Sequence, residues 1–155
     1  MGILKRRLVT ADGDDTFSIN LEDDERAMLS SLLPQLRELI EGRDSIAWRL
    51  FPNAYIDDRE AAAEYEDMVG EELREKRLAS IETVETTIER TTVDTDELMA
   101  WMGAVNDLRL VLGTRLDVTE ESDIDDYNTD TARTLFLAYW RLGWFVEEIV
   151  EALSA

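Results

Sequence analysis

One helix decides most of what this chain can become. Leu135, Tyr139, Leu142, Val146, Ile149 and Leu153 recur at spacings of 4-3-4-3-4, the seam of a coiled-coil-like helix over about 130–153. Phe136, Trp140 and Trp144 form a second stripe beside it, at i, i+4 and i+8. A helix with two apolar faces must lie at the centre of a bundle or share one face with a partner. The predicted fold is therefore mainly α, a helical bundle of about five helices with an N-terminal β-hairpin. The second stripe is the candidate self-association surface, because monomers rarely leave a large aromatic patch open. A weak homodimer through Phe136, Trp140 and Trp144 is expected.

The other elements follow from the same periodicities. Phe17, Ile19 and Leu21 alternate with polar residues, and the run ADGDD supplies an Asp-Gly turn, so residues 1–21 read as a hairpin. Leu29, Leu32, Leu33, Leu36 and Ile40 mark a helix over about 23–41, which Pro34 should kink or break and Gly42 should stop. A short helix is expected before Phe51-Pro52, then helices over about 58–70 and 71–90, the second striped by Leu73, Leu78, Ile81, Val84 and Ile88. Asp94 with Glu97 forms a capping-box pattern opening a helix striped by Leu98, Trp101, Val105, Leu108 and Leu112, with Gly113 as its expected end. Residues 117–130 hold seven acids and no base, too charged and aperiodic for core, and read as a solvated linker. They fail the EF-hand pattern, since Tyr127 and Asn128 stand where an acidic ligand and Gly are needed. At 155 residues the chain reads as a single domain: hairpin 1–21, then bundle 22–155 interrupted by that linker.

Composition removes whole classes of chemistry. The chain has no Cys and no His, which excludes disulfides, thiol nucleophiles, thiolate metal sites and the commonest general base. A net charge of -20 repels nucleic acid and anionic membranes in the far field and favours basic partners. No apolar run approaches the roughly 18 residues of a membrane span. The cluster Lys5-Arg6-Arg7 leads into no apolar h-region, so no signal peptide is read, and a cytoplasmic location is expected.

Two constellations carry candidate chemistry. Glu71, Glu72 and Glu75 spell E-E-x-x-E, similar to half of the Mg²⁺-binding signature of all-α nucleoside triphosphate pyrophosphohydrolases. That chemistry needs a facing E-x-x-D helix, because Mg²⁺ takes hard oxygen ligands and must bridge phosphates. Glu82, Glu85, Glu89 and Glu97 are followed three residues on by Glu85, Ile88, Thr92 and Ala100, so no second half is found. A solvated acidic face is the preferred reading, with no catalytic residue, metal or cofactor assigned. The second constellation is WMGAVNDLRLVLGTRL, where Asn106, Asp107 and Arg109 interrupt an apolar helix and Arg115 follows its expected end. Arg109 has no acid at i±3 or i±4, so if buried it needs a partner from another segment. It is read as an internal strut rather than a ligand site, with Arg115 the better surface contact. For nucleic acid, Lys5, Arg6, Arg7 and Arg74, Lys76, Arg77 lack interleaved aromatics, and direct binding is disfavoured.

The segments LFPNAYIDDREAAAEYEDM, LREKRLASIETV and above all AWMGAVNDLRLVLGTRLDVTEE resemble the actinobacterial domain-of-unknown-function 2017 family. KRRLVTADGDDTFSINLEDDERAMLSSLL and YWRLGWFVEEIVEAL are similar too, so the resemblance spans nearly the whole chain. Its most specific pattern, W-x-x-x-x-N-D-x-R-L-x-L-G-T-R-L, marks Trp101, Asn106, Asp107, Arg109, Gly113 and Arg115 as motif residues. The family is recognised largely without an assigned activity, is often encoded beside the ClpS adaptor, and has members described as oxidative-stress-responsive transcriptional regulators. The resemblance implies a regulatory or adaptor protein, linked to stress or proteostasis, that acts through protein contacts and is not an enzyme. Transcriptional regulation with direct DNA contact is the alternative, and a divergent Mg²⁺-dependent hydrolase the third. One departure is plain: without Cys, sensing through the chain's own disulfide is excluded.

Overall fold

The alternating apolar residues of the N-terminal region become an antiparallel pair. The computed structural model describes residues 7–42 and 70–154. In it β1 (Val9–Ala11) runs against β2 (Phe17–Ile19), with Val9 opposite Ile19 and Ala11 opposite Phe17. A third strand, β3 (Thr92–Val93), extends the expected hairpin into a sheet of order β1-β2-β3, pairing Val93 with Phe17. Two residues carry no readable alternation, which is why β3 was invisible in the sequence. Val9, Phe17, Ile19 and Val93 are all buried, so the small sheet is held by the helices beneath it.

Four α-helices stand among the described residues: α1 (Asp23–Glu41), α2 (Glu71–Thr87), α3 (Thr95–Arg115) and α4 (Asp130–Ser154). The short helix expected before Phe51 and nearly all of the one over 58–70 fall outside the described residues. α1 opens with Asp23, Asp24 and Glu25 in its first turn, favourable against the helix dipole, and Glu25 Oε1 accepts from Glu22 N at 2.9 Å. It runs unbroken through Pro34, contrary to the expected break. Pro34 is exposed, so the carbonyl its missing N–H leaves free can turn to water while Leu29, Leu33, Leu36 and Ile40 stay buried.

α2 ends at Thr87, earlier than expected, and buries Ile81 and Val84, with Ile88 just past its end. The cap on α3 is as predicted: Asp94 Oδ1 accepts from Glu97 N at 2.8 Å and Glu97 Oε1 from Asp94 N at 3.0 Å. Gly113 does not end α3. The chain leaves the helix at Asp117, whose φ of 52° lies in the left-handed region, and Val118 N closes onto Gly113 O at 2.9 Å. Asp tolerates that conformation better than most side chains.

On α4 the buried line is Ala138, Leu142, Phe145 and Ile149. The expected seam shares Leu142 and Ile149 with it; Leu135, Tyr139, Val146 and Leu153 flank it half-buried. The periodicity holds, but at the N-terminal end of the line the small Ala138 is buried in place of Leu135 or Tyr139. Ala138 is buried beside the groove that α4 forms with Met28 and Leu32 of α1, and Phe145 stacks on Trp101. α4 packs on α3 and on β1 and leaves Leu137, Trp140 and Val150 exposed; the central helix is α3, which meets α1, α2 and α4.

Candidate functional site

The Trp101–Leu116 motif divides into an inner and an outer part. Trp101 is 1% exposed, stacks on Phe145 with ring centroids 5.9 Å apart, and donates from Nε1 to Thr87 Oγ1 at 2.7 Å. It is core. Asp107, only 3% exposed, ion-pairs with Arg77 of α2. Burial pushes the Asp107 carboxyl above its ordinary value, against the hydrogen bond and charge of Arg77, which pull it down. The buried charge in this motif is therefore Asp107, and the strut expected at Arg109 is the Arg77–Asp107 pair.

Arg109 is half-buried and meets no carboxylate among the described residues. Its guanidinium carbon sits 5.2 Å from the Tyr139 ring centroid, and Nη2 lies 3.5 Å from Tyr139 Oη. Two glycines make this contact possible. A Cβ at Gly143 on α4 would stand 3.0 Å from Arg109 Nε, and one at Gly113 on α3 would stand 3.0 Å from Tyr139 Cε2. Each helix thus offers a glycine to a large side chain of the other. Because no buried ion pair is broken, Arg109→Ala should cost only about 1 kcal/mol, mostly lost packing over the ring. Urea denaturation checks this, and a loss of several kcal/mol would restore the strut. Asn106 is half-buried, and Arg115 is exposed in the last turn of α3, where a cation suits the carbonyl end.

Arg109 and Tyr139 open onto a cleft of about 670 Å³ between α4 and the chain leaving α3. Val118, Thr119 and Glu120 form one wall; Trp140, Trp144 and Glu147 of α4 form the other. Residues 117–130 are thus more than a solvated linker. A 3-10 turn at Ile124–Asp126 is capped by Asp123, and Tyr127 packs on Phe136 at 4.9 Å while its hydroxyl donates to Leu116 O at 3.3 Å. That contact buries Phe136 to 4% exposure inside the chain, removing it from the stripe expected to self-associate. Trp140 stays 59% exposed, edge-on to Phe136 and Tyr139, with Trp144 half-buried one turn on. Sequence periodicity found this stripe; it could not find Tyr127 as the cover, since acidic surroundings masked it.

These features span most of the chain, and residues 6–153 match the family described as Domain of unknown function (DUF2017). The chain belongs to that family. Comparison with curated proteins and with solved structures gives no match. In this DUF2017 domain Glu71, Glu72 and Glu75 are exposed on α2, with Glu71 pairing to Arg74 at 2.5 Å. Among the described residues, three carboxylates come within 4.8 Å of one another at Glu22, Asp24 and Glu25, where the α1 cap accounts for their meeting. No described helix is long and apolar enough to cross a membrane.

Proposed function

We propose that this domain is a non-enzymatic regulatory or adaptor protein that works through protein contacts at the α4 cleft. The observation that carries this reading is Trp140, 59% exposed at the rim of a concave surface that also contains Arg109, Tyr139 and Trp144. Trp, Tyr and Arg are the residues that dominate binding energy at interfaces, and an exposed indole on a helix loses little conformational entropy when covered. The alternative of direct DNA contact draws less support. Arg7 pairs with Glu151, Arg74 with Glu71 and Arg77 with Asp107, so three of the cations that reading needs are already neutralised.

The test is affinity capture from the native lysate with the wild-type chain and with Trp140→Ala, matched by circular dichroism. A partner held by the first and reduced about tenfold or more in the second is expected, as for a hot-spot residue. Capture indifferent to Trp140, or turnover of a nucleoside triphosphate with Mg²⁺, would count against the reading.

A further inference from the structure

The cleft is open to one side and its two walls differ in kind. The α4 wall is aromatic, with Trp140 and Trp144; the opposite wall is Val118, Thr119 and Glu120, the start of a segment, 117–130, that carries seven carboxylates and no base. Glu120 on that wall and Glu147 on α4 both face the cleft, and Glu121, Asp123, Asp125 and Asp126 stand exposed beyond it. We infer that this cleft docks a basic amphipathic segment of a partner protein, seating an apolar side chain on Trp140 and Trp144 while the segment's cations face the 117–130 wall. The inference rests on the protein-contact reading above and names its partner class.

Charge complementarity selects the occupant. At a net charge of -20 the chain attracts a basic segment from a distance and repels an acidic one, most strongly at low salt. A second copy would bring the same acidic wall and the same net charge against this one, so the surface fits a cationic partner better than itself. The volume of about 670 Å³ suits an inserted side chain with its neighbours, rather than a flat contact. Arg109 sets the orientation. It is held over Tyr139 against Gly143 on the inner side, where it repels the partner's cations and directs them outward to Glu120 and its acidic neighbours. The inner end is left to the apolar anchor, the arrangement by which grooves take amphipathic helices.

The experiment titrates the full chain with three fluorescent synthetic peptides and follows anisotropy. They are a lysine–leucine amphipathic helix, a shuffled peptide of the same composition without an apolar face, and a glutamate–leucine amphipathic helix. The lysine–leucine helix should bind best, lose about tenfold or more in affinity with Trp140→Ala, and weaken with the double variant Glu120→Gln, Glu147→Gln. Raising salt from about 50 to about 500 mM should weaken it further without abolishing it. Equal binding of the shuffled peptide, or indifference to Trp140→Ala, would reduce the effect to net charge and overturn the proposal. Trp140-dependent binding of the glutamate–leucine helix would overturn the basic partner while leaving a protein-binding cleft. Absence of binding by all three, or a Trp140-dependent dimer in sedimentation that excludes the peptide, would overturn it as well.

Discussion

Trp101→Ala should lower stability by about 3–5 kcal/mol, the cost typical of deleting a buried aromatic side chain. Native domains hold only about 5–15 kcal/mol in all, so the variant should be close to unfolding at ambient temperature. The size follows from three contacts meeting at one side chain. Trp101 is 1% exposed, its ring lies parallel to Phe145 within 7°, and Nε1 donates to Thr87 Oγ1. It therefore joins α3 to α4 and α2 together, and the gap left by alanine cannot close without moving two helices at once. The hydrogen bond is the smaller part. Thr87 Oγ1 still donates to Thr83 O at 2.7 Å, so no donor is orphaned when the indole goes. Trp101→Phe keeps ring area against Phe145 and should lose about 1–2 kcal/mol, less than half the alanine effect. Urea denaturation of the three chains decides it. An alanine variant within about 1 kcal/mol of wild type would mean that α4 collapses onto α3, and Trp101 would lose its place as the centre of the core.

The elements with their own local signal were legible from sequence. α1 has the predicted limits, and the Asp94–Glu97 box opens α3 as read, because caps and periodic stripes are written within a few residues. Elements defined by what they meet were not. β3 exists because Thr92–Val93 happens to pass beside β2, and its two residues carry no pattern of their own. The motif was legible as a set and misread in its parts. Arg109 reads as a charge in an apolar helix, yet it reaches the cleft, where it packs half-buried against Tyr139 and Gly143. Asp107, its neighbour but one, is the charge taken inside, and only the position of Arg77 thirty residues earlier makes that tolerable. Glu148 was missed altogether. It is 4% exposed on α4, with Oε1 accepting from Leu8 N at 2.9 Å, a tie from helix to sheet that no spacing within α4 announces.

Arg77→Ala should cost about 3 kcal/mol at neutral pH, and part of that loss should return on acidification. Breaking a buried ion pair from one side costs about 3–5 kcal/mol because the remaining charge is stranded. The lower end applies, since the Arg77 side chain is 25% exposed and water can reach the gap it leaves. The pH dependence follows from Asp107. Burial already raises its carboxyl above the ordinary 3.8, so the folded state holds this proton more tightly than the unfolded state does. The stability this contributes is present at low pH and is lost as pH rises through the folded value. Arg77 opposes that shift by hydrogen bond and charge, so removing it raises the carboxyl further and deepens the loss at neutral pH. The difference between wild type and Arg77→Ala should therefore shrink as pH falls from about 7 towards about 5. The other acids of the chain titrate in both proteins and largely cancel in that difference. Asp107→Asn should be milder than Arg77→Ala, because a quarter-exposed guanidinium can turn to solvent whereas a carboxylate at 4% cannot. In the double variant Arg77→Ala, Asp107→Asn no charge is stranded, and the pH-dependent part of the gap should vanish. Denaturation curves of the four proteins across that pH range provide the check. A gap that stays constant with pH would mean that Asp107 keeps its charge without Arg77, and that another cation reaches it.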